Sequence, residues 1–149
     1  STHSRVDAAL KAGGDAIGAE TQIVTLPGMM PLNCNRRMNE LMVENSRKAY
    51  PGVDIKDAGH FSASTDMGDV SHLMPVIHPF IGGTDGLLHT GGFHVVDFEA
   101  AVLLPAKAFA MMLVDLLVDD AKEAKGILAD FKPILTKEEY IAKMESYFS

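Results

Sequence analysis

The amino-acid sequence predicts an α/β fold. Segments with helical spacing alternate with short β-branched or apolar segments through the first two thirds of the chain, an order typical of strands covered by helices. Of the 149 residues, 47% are hydrophobic, which is enough for one domain to bury a core. The predicted strands are too few for a complete doubly wound sheet, so we expect part of a larger one. The alternative is a natural small domain with a helical start.

The first elements in chain order are a helix and a strand. Apolar residues at helical spacing predict a helix over 5–19. β-branched residues predict a strand over 20–26, which the Pro27-Gly28 pair ends because proline cannot continue a ladder. The turn-rich segment 27–35 is the candidate for a crossing between domains.

A second helix and a second strand follow. Helical spacing predicts a helix over 35–50, which the Pro51-Gly52 pair ends. The apolar run 74–81 predicts a buried strand bounded by prolines and interrupted by His78. Its apolar character on both faces is typical of a central strand.

The C-terminal third is predicted to be helical. The longest periodic segment is 98–119, in which Pro105 marks either a kink or the first turn. A second helix is predicted over 121–131. The sequence Thr136-Lys-Glu-Glu matches a capping box, so a final helix is predicted over 137–148.

Charge and cysteine content limit the classes of partner. The net charge of −7 argues against a nucleic-acid partner. Cys34 is the single cysteine, so we expect no internal disulfide and a reducing, cytoplasmic location. The first residues lack the apolar core of a signal peptide. The apolar run 100–118 contains Pro105, Lys107 and Asp115, which favours a buried helix of a soluble domain over a membrane span.

The candidate site is the window 64–94. Five of the six histidines fall in or just before it, together with three aspartates and six glycines: His60, His72, His78, His89, His94, Asp66, Asp69, Asp85, Gly68, Gly82, Gly83, Gly86, Gly91 and Gly92. Histidine and aspartate are common zinc ligands, and polar glycine-rich loops often carry chemistry. The sequence therefore predicts that this window forms a site or part of one.

Each candidate residue allows two interpretations from the sequence alone. His89 is either a metal ligand on a loop between a strand end and the long helix or a surface histidine. Asp66 either hydrogen-bonds its own turn or orients a metal-bound histidine. His78 is either a core histidine or a donor to a substrate carboxylate. The chain contains no Cys-x-x-Cys, His-Glu-x-x-His or His-x-His motif, so this window cannot supply a complete catalytic zinc site.

Three motifs carry a family resemblance. Residues 64–71 (STDMGDVS), 75–79 (PVIHP) and 88–90 (LHT) resemble the C-terminal part of the co-catalytic metal aminoacylase and carboxypeptidase superfamily. The aminobenzoyl-glutamate hydrolase branch is the most similar. Residues 6–32 also resemble the end of that family's inserted lid and dimerisation domain.

The resemblance implies a fold and a domain division. It implies a partial three-layer sheet-and-helix catalytic domain of a zinc-peptidase-like fold, with a remnant of the α+β lid domain. The lid remnant would occupy residues 1–30 and the catalytic part residues 31–149. The complete protein would form a homodimer through its lid.

The resemblance also implies a chemistry. The complete protein would bind two divalent metals, zinc or manganese, that activate a water for attack on an amide carbonyl, with a glutamate as general base. His89 would be the last metal ligand, Thr65 and Asp66 would line or support the site, and His78 would contact the substrate's carboxylate. The family's other ligands and its general base have no counterpart in this sequence, so we expect no catalytic residue here.

The predicted function is metal-dependent hydrolysis of an amide bond in a small molecule, by the complete protein. The substrate would be an N-acyl amino acid, aminobenzoyl-glutamate or a dipeptide. The 149-residue chain alone would be inactive and would bind zinc weakly. One alternative is a non-catalytic binding or assembly module. Another is an α/β domain with a coincidental histidine cluster, favoured if His78 and His89 lie far apart.

Overall fold

A computed structural model describes residues 2–57, 59 and 63–147 of the chain. Its elements in order are α1 (Thr2–Ala16), α2 (Arg36–Ala49), α3 (Met67–Ser71), β1 (Thr84–Asp85), β2 (His94–Val95), α4 (Leu104–Asp130) and α5 (Lys137–Glu145). The chain divides into two compact units, one of Ser1–Gly28 with Glu138–Ser149 and one of Met29–Lys137. The domain boundary predicted between residues 30 and 31 stays a prediction.

The first unit contains α1, which confirms the first predicted helix but begins and ends three residues earlier. The helix gives way to a turn in which the Ala19 amide donates to the Gly14 carbonyl at 3.0 Å. The predicted strand over 20–26 is wrong, because this segment is irregular. β-branched residues favour extended backbone, but a strand also needs a hydrogen-bonded neighbour, and the described residues offer this segment none.

Helix α5 confirms the predicted final helix from its first residue, Lys137, to Glu145. Residue 148, the predicted end, lies outside the described residues.

The core of the second unit lies between α2 and α4. Its buried side chains are Leu41, Met42, Ala49, Ala108, Met112 and Ile127. Helix α2 is confirmed within one residue at each end. Its N-cap is Asn35, whose Oδ1 accepts from the Met38 amide at 3.0 Å, and Tyr50 closes it just before Pro51.

Helix α4 follows a π-helical turn over Glu99–Leu103, and Pro105 lies in its first turn. The helix is broken at 118–121, which overlaps the predicted end of one helix at 119 and the predicted start of the next at 121. Asp119, Asp120 and Ala121 there have φ values of 52°, 58° and 55°. A left-handed conformation costs a non-glycine residue roughly 1–2 kcal/mol, so the break stores strain.

The predicted strand over 74–81 is also wrong, because the segment is irregular in the structure. Two backbone hydrogen bonds between described residues hold it, from the Asn35 amide to the Val76 carbonyl at 2.8 Å and from the Met74 amide to the Val70 carbonyl at 3.0 Å. Pro75 and Pro79 lack the amide hydrogens that a central strand needs. The sheet in the described residues is an antiparallel pair, β1 with β2. The α/β class and the zinc-peptidase-like fold stay predictions.

The helical stretch Glu99–Asp130 is long and apolar enough to cross a membrane, judged by its length and by an 18-residue window of mean hydropathy 2.0. A single helix of this kind is weak evidence, since core helices of soluble proteins pass the same test. Here Ala108 and Met112 are buried against α2, and Asp115 bonds Asn45.

A buried polar pair joins α2 to α4 beside the core. Asn45 is 1% exposed, and its Nδ2 donates to Asp115 Oδ2 at 2.7 Å and to the Leu41 carbonyl at 3.0 Å. Removing one partner should leave a half-buried carboxylate without its donor. We expect Asn45→Leu to lower the free energy of unfolding by about 2–3 kcal/mol in urea denaturation. The double variant Asn45→Leu/Asp115→Leu should recover most of this loss, and a double variant no more stable than the single one would contradict the explanation.

A second polar link between these helices is pH-dependent. Arg37 Nε donates to Glu123 Oε1, and this hydrogen bond lowers the pKa of Glu123 and raises that of Arg37. A carboxyl group with a lowered pKa stabilises the fold above its ordinary pKa of about 4.3, and the contribution disappears as pH falls through the lowered value. In thermal unfolding, wild type should exceed Glu123→Gln in Tm at neutral pH, and the gap should close below about pH 4. A gap that is constant across this range would contradict the assignment.

Candidate functional site

Three of the four predicted site residues line one cavity in the second unit. The cavity has a volume of about 1590 Å³, and Thr65, His78 and His89 are part of its lining. Asp66 is not. The interpretation as a coincidental histidine cluster, which a large separation of His78 and His89 would favour, stays open, because a cavity of this size can have residues on opposite walls.

The motif 64–71 forms α3 and the turn before it. The Thr65 carbonyl accepts from the Gly68 amide at 2.8 Å, and the Asp66 carbonyl accepts from the Asp69 amide at 3.1 Å. Asp66 precedes the helix and is exposed, and its side chain makes no capping hydrogen bond. The structure therefore does not show the turn-stabilising side-chain bond that is one interpretation of Asp66.

Helix α3 holds the segment that leads into α2. The Met30 amide donates to Asp69 Oδ1 at 2.9 Å, and the Asn33 amide donates to Ser71 Oγ at 3.0 Å. Ser71 is fully buried and donates in turn to the Gly68 carbonyl at 2.6 Å. Sequence reasoning missed the roles of Asp69 and Ser71. The available sequence signal was that Asp69 and Ser71 both lie in the motif 64–71, which carries the family resemblance.

Gly68 allows this close packing. A Cβ at position 68 would lie 1.8 Å from the Met30 carbonyl oxygen, far inside van der Waals contact. His72, next along the chain, adds a further link, since its Nε2 donates to the Pro31 carbonyl at 3.0 Å. The motif thus fixes the backbone on one side of the cavity.

His78 is half-buried and only partly hydrogen-bonded. Its Nε2 lies 3.5 Å from Thr65 Oγ1, and its ring meets the Phe80 ring edge-on at a centroid distance of 5.7 Å. Its Nδ1 is buried and has no hydrogen-bond partner among the described residues. Buried polar atoms are nearly always paired, so this nitrogen is an unusual feature of the cavity wall.

His89 is exposed and lies in the loop of the β1–β2 hairpin. The sequence predicted a loop between a strand end and the long helix, but the second strand of the hairpin intervenes. The φ of His89 is 64°, a left-handed value that is uncommon for a residue other than glycine. Such outliers cluster at functional sites.

The glycines of the window close this hairpin. Gly86 has a φ of 90°, and a Cβ there would lie 2.2 Å from the Gly92 carbonyl oxygen. The His94 Nδ1 donates to that same carbonyl at 2.7 Å. Tight closure sets the position of His89 at the loop. His60 lies outside the described residues.

The residues present do not fit a complete metal centre. Across residues 2–57, 59 and 63–147, no group of three or more histidine, cysteine, aspartate or glutamate side chains is placed to hold a metal ion. A catalytic zinc needs about three protein ligands, and one exposed imidazole supplies one.

The carboxylates around the cavity have partners of their own. Glu40 pairs with Arg36 at 2.9 Å, Asp54 pairs with Lys56 at 2.8 Å, and Asp57 accepts from the Gly59 amide at 2.8 Å. Beside the two imidazoles and the Thr65 hydroxyl, the cavity lining contains other polar side chains, Arg47 and Ser64 among them.

Sequence comparison relates the chain to dipeptidases. It is 32% identical over 141 residues to the "Xaa-Arg dipeptidase" of Mus musculus, an alignment that covers 90% of this chain and 32% of the mouse protein. It is 30% identical over 120 residues to the "Xaa-Arg dipeptidase" of Homo sapiens, covering 74% of this chain and 27% of the human protein. The chain thus spans about a third or less of these relatives. No protein-family model and no solved structure matches the chain.

This homology confirms the resemblance at a coarse level. The relatives are named as peptidases, which supports the hydrolase class predicted from the motifs. Neither relative supports the aminobenzoyl-glutamate branch or its substrate.

Proposed function

We propose that this chain is the C-terminal part of a longer metal-dependent hydrolase that cleaves the amide bond of dipeptides or N-acyl amino acids. The observation that carries the proposal is the shared cavity of Thr65, His78 and His89 in a chain related to dipeptidases. The chain spans about a third or less of the length of these relatives. In the proposal, the remaining metal ligands come from other parts of a longer protein.

In this proposal His89 donates one imidazole nitrogen to a divalent metal, zinc or manganese. Support comes from its exposure at the cavity and its left-handed backbone, which holds the side chain in a conformation the chain would not adopt freely. The metal would polarise the amide carbonyl and activate a water, and its remaining ligands would come from outside these residues.

His78 would bind the carboxylate of the substrate through Nδ1. Nδ1 is shielded from solvent in this structure, so the ring would turn to present it, and a ligand oxygen would then satisfy a nitrogen that has no partner among the described residues. Thr65, 3.5 Å from Nε2, would hold the ring in place. Asp66 would support the site from the start of α3.

The test is metal analysis and an amidase assay on the full-length protein. The substrates should include a dipeptide with C-terminal arginine, after the names of the relatives, together with an N-acetyl amino acid and aminobenzoyl-glutamate. We expect hydrolysis of the dipeptide that a chelator abolishes and added zinc or manganese restores. A full-length protein that binds no metal and hydrolyses none of these would overturn the proposal.

The isolated 149-residue chain is the matched control. Since it supplies one metal ligand, calorimetry should show weak zinc binding, and the assay should show no turnover. Tight stoichiometric zinc binding by this chain would contradict the assignment.

The second candidate is a non-catalytic binding or assembly module. It would use the same loops without a metal, whereas the enzyme needs ligands from outside the described residues, which contain no group of three or more histidine, cysteine, aspartate or glutamate side chains placed to hold a metal ion. The length of the encoded protein separates the two. An upstream extension rich in histidine and acidic motifs supports the enzyme, and a start codon near Ser1 supports the module.

A further inference from the structure

The break in α4 is not explained by its local sequence. Residues 118–121 are Val-Asp-Asp-Ala, with no glycine to favour positive φ and no proline to end a helix. Even so, three consecutive residues are left-handed, and Val118 has an extended ψ of 163°. Aspartate adopts this conformation only occasionally, and the local ion pair of Lys125 with Asp120 at 2.7 Å joins two exposed side chains, so contacts elsewhere in the fold are needed to hold the broken form.

Those contacts lie on the C-terminal side of the break. Glu123 accepts a hydrogen bond from Arg37 on α2, and Ile127 is buried in the core with Leu41 and Met42. Beyond the helix, the Ile134 amide donates to the His72 carbonyl at 2.9 Å. Each contact fixes the second half of α4 to the second unit and is independent of the break's own conformation.

We infer that residues 118–121 are a hinge that exchanges between this broken form and a continuous helix, with the Arg37–Glu123 bridge and Ile127 as its latch. In the broken form, the latch balances the strain of residues 118–121. In the continuous form, that strain is relieved and the second half of α4 leaves α2. This inference does not depend on the proposed hydrolase activity.

Release would open a second cavity. The space between α2 and the second half of α4 has a volume of about 860 Å³, and its lining includes Cys34, Glu123, Ile127 and Phe131. When the second half of α4 departs, this space becomes open surface. The single cysteine of the chain would then be more accessible to solvent.

The experiment measures the distance between two spin labels by pulsed electron resonance. Labels at Arg36→Cys and Leu128→Cys, both exposed, in a Cys34→Ser background report on α2 and on the second half of α4. The hinge predicts two distances, with the shorter one dominant. Glu123→Gln, which weakens the latch, should raise the ratio of the longer to the shorter population at least about threefold.

Matched substitutions at one hinge residue should act in opposite directions. Asp119→Gly favours positive φ and disfavours helix, so it should reduce the longer population. Asp119→Ala favours helix and tolerates positive φ poorly, so this variant should increase the population with the longer distance. A single distance that stays unchanged in Glu123→Gln and in both Asp119 variants would overturn the hinge, even if Glu123→Gln lowered stability.

Discussion

Replacing His89 with asparagine in the full-length protein is expected to lower kcat/KM for dipeptide hydrolysis by at least about 10²-fold. Asparagine tolerates the left-handed backbone that His89 adopts, so the hairpin should keep its form while the imidazole is lost. Metal content, measured on the same samples, should fall with activity. The measurement is steady-state kinetics beside elemental analysis.

His94→Asn is the matched control for this experiment. His94 lies on the same hairpin and is also exposed, but it is not among the residues that line the cavity. This variant loses a bond to the Gly92 carbonyl that helps to close the hairpin but no group in the cavity, so it should retain most of the activity. Normal turnover and metal content in His89→Asn would remove His89 from the site, and equal losses in both variants would show that the hairpin, and not the imidazole, is at fault.

Gly68→Ala is expected to lower the free energy of unfolding by about 3 kcal/mol, near the upper end for overpacked sites. The new Cβ would lie 1.8 Å from the Met30 carbonyl oxygen and 2.9 Å from its carbon. Both are backbone atoms that cannot rotate away. Helix α3 would have to shift, which breaks the bonds from Asp69 to Met30 and from Ser71 to Asn33. Urea denaturation measures the effect.

Gly126→Ala, in the same unit, is expected to raise the free energy of unfolding, the opposite of the change expected for Gly68→Ala. Gly126 lies in the second half of α4 with no atom within 4 Å of a Cβ built on it. Alanine favours helix over glycine by about 0.5–1 kcal/mol, so this variant should be more stable than wild type. Equal stability of Gly68→Ala and Gly126→Ala would contradict the packing argument.

Helices could be predicted from this sequence because their signals are local. Asn35 caps α2 with its own side chain, and the Pro51-Gly52 pair follows its end, so both boundaries are set within a few residues. The capping box at Thr136 likewise precedes the observed start of α5. The break in α4 lies where two predicted helices meet, but the sequence 118–121 contains no glycine or proline from which its left-handed conformation could be predicted.

Strands could not be predicted equally well, because a strand is defined by its neighbour. Residues 20–26 and 74–81 have suitable composition, yet neither forms a ladder in the described residues. The observed pair, β1 with β2, is only two residues long on each side and is set by turn geometry at Gly86. Amino-acid composition does not predict a pair of strands as short as this one.

The candidate site stays a prediction, although three of its residues line one cavity. The motifs identified Thr65, His78 and His89 as residues of interest, and the fold brings all three to one cavity. The backbone of His89 and the unpaired Nδ1 of His78 depend on packing, which a sequence does not display. Asp69 and Ser71 were missed because they bond backbone amides of a segment far away in the sequence.

The hydrogen bonds around α3 join distant parts of the chain into one cooperative unit. A helix of five residues is not stable alone, so α3 persists through its bonds to Met30 and Asn33 and through the bond from Ile134 to His72. When α3 opens, these three amides lose protection together. Opening of α3 would therefore expose all three amides to deuterium at once, although more than a hundred residues separate the first amide from the last.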